Sequence, residues 1–281
     1  MAEASSLSPP TLRRLEVAAA LKRHREALEL TTAEVLDATG FSASKLSRIE
    51  TGNRRVQIPD LVRLCELYGL DNDEQERLTK LVGEARRTTR KPVVDNPDYT
   101  DLELAASAID DYKTTIITGL LQTPDYTVAL FRRFQPNIPN DLMEKVINDR
   151  RRRQEDIFRR PHPPRLNFVM DEAAIRRVVG GRSTMRGQLE HLARLSSEGP
   201  LTLQVIPFSV GAHPGMDGLF TIMSFDEAIR DRVYVDGLLP STFLVAMEDL
   251  QRYRSLFGQL QELSLNPEES ERLIGSVARA L

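Results

Sequence analysis

Along residues 11–87 the apolar positions recur three and four residues apart, in short runs closed by turn residues. That pattern predicts five consecutive short helices. "TLRRLEVAAALKRHREALEL" places Leu12, Leu15, Ala19 and Leu28 on one helical stripe. "TTAEVLDATG" opens on a Thr31 cap, carries Glu34 three residues later and closes at Gly40, which reads as a capping box with a glycine stop. "FSASKLSRIETG" opens on a Ser42 cap, turns Leu46 and Ile49 inward and stops at Gly52. "QIPDLVRLCELYGL" spaces Ile58, Leu61, Leu64, Cys65 and Tyr68 helically and stops at Gly69. "DNDEQERLTKLVGEARR" begins with acids and ends on Arg86 and Arg87, which suits the helix dipole.

The helical pattern lapses in "TTRKPVVDNPD", residues 88–98, which has two prolines and no periodicity and predicts a linker. Residues 1–10 read as a disordered lead ending in Pro9-Pro10. Beyond the linker the chain restarts as helix from Tyr99 to about Thr115. "GLLQTPDYTVALFRRF" then restarts again, with Thr123 as cap and Pro124 in the first helical position, and residues 140–160 predict a further helix. Next the period shortens to two. "RLNFVMD", "LTLQVIPF", "GLFTIMSF" and "RVYVDGL" read as strands, with a helix, "STMRGQLEHLARLSS", between the first two. Helices over about 241–263 and 267–280 finish the chain. The expected architecture is an all-α domain of five helices over 11–87, followed by an α+β domain over 99–281 with a small, mainly antiparallel sheet.

Composition narrows the function. A chain of 281 residues suits about two domains, and 41% hydrophobic with 28% charged residues suits a water-soluble protein. A net charge of −3 excludes a generic polyanion binder, so any contact with nucleic acid must come from a local patch. The single cysteine, Cys65, excludes an internal disulfide and a cysteine-based zinc cluster, and fits a reducing compartment. His24, His162, His191 and His213 lack metal-ligand spacing. The N-terminus lacks the basic start and apolar stretch of a signal peptide, and no apolar run reaches membrane-spanning length. A cytoplasmic protein with no metal, no cofactor and no membrane partner is expected.

The local patch exists. Residues 45–55 hold four basic residues and one acid, +3 in total, on and just after the second of two short capped helices. Two such helices joined by a glycine turn make a helix-turn-helix, whose second helix enters the major groove with its N-terminal side chains toward the bases. Those side chains are Ala43, Ser44, Lys45, Ser47 and Arg48. Small residues at the start allow close approach, Lys45 and Arg48 supply donors, and arginine can bind guanine bidentately. Arg54 and Arg55 are placed for phosphates, while Leu46 and Ile49 hold the helix to the core.

On these residues, the stretch from Leu12 to Leu70 resembles the XRE family, the phage-repressor type of helix-turn-helix regulator. The matching stretches are "LKRHREALELTTAEVLDATGFSASKLSRIETG" and "PDLVRLCELYGL". The resemblance implies that Arg25, late in the first helix, pairs with Glu50 at the end of the reading helix, and that Thr32 touches a phosphate at the start of the second helix. This sequence departs from the repressor pattern in having no glutamine at the reading positions, so the family's base preference does not carry over.

Residues from about 100 to 275 are similar to the domain of unknown function that follows this helix-turn-helix in many actinobacterial regulators, a group described as antitoxin-like. The stretches that carry the similarity are "TGLLQTPDYT", "RRRRQ", "FVMDEAAIRRVVGG", "MRGQLEHL" and "QVIPFSVGAHPGMDGLFTIMSF". It implies a small protein partner. The residues themselves offer weaker signals. Residues 207–218 are long for a hairpin between two strands and carry His213 and Asp217, and "DRRRRQEDIFRR" carries Arg151 and Arg152. These four are the candidate ligand or partner residues. Asp171 and Glu172 suit a helix start as well as acid–base chemistry, and Gly180-Gly181 lacks the lysine of a phosphate loop. With no nucleophile–base pair and no metal set, no catalytic residue is assigned.

The expected function is a transcriptional regulator binding double-stranded DNA as a homodimer on a palindromic operator. The second domain would dimerise and receive a small-molecule or protein signal. The alternative is an antitoxin-like protein that sequesters a small partner and autoregulates.

Overall fold

The structure is a computed structural model that describes residues 10–52, 54–84, 97–226, 229–236 and 242–281. Leaving aside the short stretch 226–229, the chain divides into two compact units, one up to Lys91 and one from Pro92 onward. Residues 1–9 of the expected lead, the Arg86-Arg87 helix end and most of the expected linker lie outside the described residues.

The first unit holds α1 (Pro10–Ala27), α2 (Thr32–Thr39), α3 (Ala43–Glu50), α4 (Ile58–Leu67) and α5 (Asn72–Glu84). Local sequence sets the boundaries. Thr31 Oγ1 accepts from the Glu34 N–H while the Glu34 carboxylate accepts from the Thr31 N–H, a capping box worth about 1 kcal/mol. Gly40 ends α2 at φ +70°. The Ser42 hydroxyl caps α3, and Gly52 turns the chain after it at φ +71°. A Cβ at Gly52 would lie 2.5 Å from Leu15 Cδ2, so the turn needs glycine for space as well as conformation.

One core joins Leu21, Val35, Phe41, Leu46, Ile49, Leu61, Leu64 and Leu78, all buried. The expected stripe on α1 is corrected. Leu12 and Leu15 are buried, but Leu28 lies past the helix end, about half exposed, and Ala19 is only half-buried. The buried face runs instead through Val17, Ala20 and Leu21, because an alanine-rich helix has little contrast to fix its phase.

The second unit opens with α6 (Pro97–Ala105) and then departs from the sequence reading. The expected helix to Thr115 gives way to β1 (Ala108–Lys113). After it come α7 (Pro124–Phe134), α8 (Asn140–Phe158), β2 (Arg165–Asp171), α9 (Glu172–Arg176), α10 (Gly181–Glu198) and β3 (Leu201–Ile206). The remainder is β4 (Leu219–Ser224), β5 (Arg232–Asp236), β6 (Thr242–Leu244), α11 (Met247–Leu263) and α12 (Pro267–Ala280).

The sheet is six-stranded and mixed, in the order β3-β2-β1-β4-β5-β6, which corrects the small, mainly antiparallel sheet expected. β1, β2 and β3 are parallel because helices carry the chain back between them, as parallel pairing requires. β4, β5 and β6 then add antiparallel. Because β2 and β1 lie between β3 and β4, residues 207–218 are no hairpin loop. They cross two strands to reach β4, which accounts for their length. One sheet face packs on α11 through Tyr112, Phe220, Ile222, Val233, Phe257 and Leu260.

Candidate functional site

α3 spans eight residues, about 12 Å of rise, which matches the width of a DNA major groove. Leu46 and Ile49 are buried and anchor it, each contributing about 1.5–3 kcal/mol. Ala43, Ser44, Ser47 and Arg48 are exposed, and Ser44, Ser47 and Arg48 share a face at three- and four-residue spacing. Arg48 Nε donates to its own helix at the Ser44 carbonyl, 3.1 Å away, which settles the stem and leaves the far end of the fork outward. Arg54 and Arg55 are exposed just beyond the turn. Among the described residues no carboxylate engages Arg48, Arg54 or Arg55.

Behind α3, Arg25 holds Glu50 with two bonds, Nε to Oε1 at 2.7 Å and Nη2 to Oε2 at 3.0 Å, and its Nη1 donates to the Leu30 carbonyl at 2.9 Å. One guanidinium thus ties the ends of α1 and α3 to the residue leading into α2. The hydrogen bond to Glu50 raises the Arg25 pKa above its ordinary value, against the opposing effect of burial.

Two of the expected DNA contacts stand beside carboxylates. Lys45 does not point freely outward. Its ammonium sits 2.6 Å from Asp60 Oδ1 at the start of α4 and 3.8 Å above the Phe41 ring. Part of the +3 counted along residues 45–55 is therefore neutralised by an acid ten residues or more away in sequence. Thr32 is exposed at the first position of α2, but the Glu34 carboxylate of the capping box occupies that helix end. The Thr31 hydroxyl and backbone hold that carboxylate below the usual range, so a negative charge sits at this helix end.

In the second unit the four candidate residues are not brought together. Arg151 and Arg152 are 71% and 83% exposed and make only loose pairs with Glu155 and Asp156 one turn on, at 3.5 and 3.7 Å. Such pairs contribute at most about 1 kcal/mol. The His213 ring is 3% exposed, with Nε2 3.1 Å from Asp171 Oδ2 and Nδ1 accepting from the Gly215 N–H at 3.3 Å. Both nitrogens are thus occupied. The ring pins the crossing segment to the carboxyl end of β2, where Asp171 also caps α9. Asp217 is exposed at the end of the crossing segment. Glu172 is buried, bonding Arg176 at 2.6 Å and the Phe208 N–H at 2.6 Å, so it too supports the fold.

The arginines of α8 that the structure turns inward are Arg150 and Arg153, 8% and 7% exposed. The signal was in the spacing. Met143, Val146, Arg150, Arg153 and Ile157 form one unbroken helical stripe, and all five are buried. Among the described residues no cluster of metal-ligating side chains occurs, and no helix is long and apolar enough to cross a membrane.

Comparison with known proteins gives two matches. Residues 16–78 match the model of a helix-turn-helix domain, the architecture of DNA-binding regulators, and residues 97–276 match the model of a domain of unknown function, DUF5753. No curated protein sequence and no solved structure matches the chain.

Proposed function

The chain belongs to the DUF5753 family, with a helix-turn-helix domain ahead of that domain, and on this premise we propose that it is a sequence-specific transcriptional regulator. It binds a palindromic operator as a homodimer. The second unit dimerises and receives the signal. One observation carries this reading: Ser44, Ser47 and Arg48 stand exposed on one face of a helix that Leu46 and Ile49 fasten from behind, with Arg54 and Arg55 beside it. A face of this kind offers base-reading donors flanked by phosphate-binding charge. A homodimer is proposed because one eight-residue helix reads few base pairs, and two half-sites multiply affinity and selectivity.

The experiment is a salt titration of duplex binding by fluorescence anisotropy, with stoichiometry from sedimentation. Arg54 and Arg55 from each of two copies give about four phosphate contacts and a log–log slope of about −4. Two chains per duplex with a slope near that value support the reading. A monomer with no salt-dependent affinity contradicts it. One chain holding one small protein in place of a second copy would replace it with the antitoxin-like alternative.

A further inference from the structure

We propose that the second unit binds an uncharged aromatic molecule carrying a hydroxyl or carboxamide, in a cavity of about 540 Å³ beyond the carboxyl end of β1. This rests on the reading of that unit as the receiver of a signal, and gives the signal a place and a chemistry.

The cavity is built rather than left over. The chain winds outward from β1 to β3 and returns on the other side of β1 as β4. Sheets wound both ways leave a ligand crevice at the carboxyl end of the strand where the order reverses. Here the chain leaving β1 supplies Thr118, Gly119 and Gln122 to one wall, and α8 supplies Arg150 and Arg153. Gln154 Nε2 lies 2.9–3.1 Å from the carbonyl oxygens of Gly119, Leu120 and Gln122. Gln188 donates to the Leu121 carbonyl and accepts from the Thr123 N–H, each at 2.7 Å. Side chains from two helices therefore fix this turn. A Cβ at Gly119 would stand 2.7 Å from Arg153 Nη2, so glycine there makes room for the guanidinium.

The lining gives the class. Its charges cancel: Lys113, Arg150 and Arg153 stand against Glu103, Asp236 and the Asp111 that Lys113 holds at 2.7 Å, three of each sign. Arg153 lies 3.0 Å from Glu103, and Arg150 donates to the side-chain oxygens of Gln122 and Thr127. A charged guest would give up its hydration without meeting a surplus of opposite charge, a cost an uncharged guest does not carry. The Thr118 hydroxyl stands outside this internal pairing. Thr118 is only 4% exposed and lines the cavity, its side chain caps no helix N–H, and among the described residues its Oγ1 has no hydrogen-bond partner. A buried hydroxyl left so calls for a partner from outside the chain, and it can donate to a carbonyl or accept from an O–H or N–H. The remaining walls are apolar, with Leu130, Phe131 and an exposed Phe134 at the rim, which suits a ring. The volume lies in the small-molecule range.

The test is isothermal titration of the full chain at neutral pH, without DNA, against naphthol, naphthamide, naphthoate and naphthylmethylamine. One site per chain for at least one of the two uncharged probes is expected, with the anion and the cation each at least about tenfold weaker. The tighter of the uncharged probes identifies the polar group. Thr118→Val keeps the shape and removes the hydroxyl. It should weaken binding about fivefold without lowering Tm, since that hydroxyl has no partner within the described chain to lose. Phe134→Ala removes only a rim ring and should weaken binding about threefold, so either variant decides the matter if the other does not fold. No saturable binding of either uncharged probe, a charged probe as tight as the uncharged ones, or a Thr118→Val or Phe134→Ala variant that folds and binds like the parent chain would each overturn the proposal. A chain that binds duplex DNA but neither uncharged probe loses this site and keeps the regulator reading. A chain that binds an uncharged probe but no duplex does the reverse.

Discussion

Arg25 and Glu50 face each other across the back of the reading helix in a two-bond fork, with side chains only 12% and 10% exposed. Neither touches the outward face. The pair fixes the angle at which α3 leaves the core, and in the proposed function it serves DNA binding by position. Arg25→Ala strands a largely buried carboxylate and frees the Leu30 carbonyl. It should lower stability by about 2 kcal/mol in urea denaturation and weaken duplex binding with it. Glu50→Gln keeps an acceptor for the fork and should cost less on both counts.

Lys45 and Asp60 make the opposite kind of prediction. The ion pair withholds a cation from the surface proposed to face DNA. Asp60→Asn releases it, so non-specific duplex affinity should rise and the log–log salt slope should steepen by about one unit. Lys45→Ala should change that slope little, since its charge is already balanced. A titration of both variants against the same duplex checks the pair.

These two relationships mark where the sequence was legible and where it was not. Caps and stops are local chemistry, and they could be read: Thr31 with Glu34, Ser42, Gly40, and Thr123 before Pro124 all stand where expected. Leu46 and Ile49 are inward because period 3.6 permits nothing else for an apolar pair on so short a helix. The Lys45–Asp60 pair is tertiary, and no spacing rule announces it. β1 was hidden because "AIDDYK" carries charge into the middle of a sheet. Asp111 is 2% exposed there, made tolerable by Thr221 across the strand pair and Lys113 two residues on. With the central strand unseen, the parallel half of the sheet and the crossing of residues 207–218 could not be derived. In the arginine run of α8, the phase against Met143, Val146 and Ile157 turns Arg150 and Arg153 inward and leaves Arg151 and Arg152 exposed.

Glu74 gives a pH prediction for the first unit. Hydrogen bonds from Arg77, and then from His24, hold its carboxyl down at about 2, against an ordinary value of 4.5. A carboxylate depressed by folding stabilises fully above its unfolded value, and that contribution is lost as pH falls from about 4.5 through about 2. Thermal melts across that window should therefore show a falling Tm, and Glu74→Gln should flatten the fall. Equal slopes in the two proteins would mean that α1 and α5 are not coupled through His24 and Glu74.

Cys65 is a single internal reporter. Burial pushes its thiol up to about 11, so at mildly alkaline pH almost none of it is thiolate. Ellman's reagent should leave the folded chain unreacted over minutes and titrate one thiol at once in denaturant. Reaction of the folded chain as fast as a free thiol would show that the α4 core face is open.

The central claim is that α3 reads duplex sequence, and selection from a random-sequence duplex pool tests it most directly. The parent chain should enrich a two-fold-symmetric motif with half-sites about one helical turn apart. Arg48→Ala should lose preference at one position in each half and bind the parent motif about 1–3 kcal/mol more weakly. No enriched motif, or the same motif bound equally well without the Arg48 guanidinium, would contradict the account.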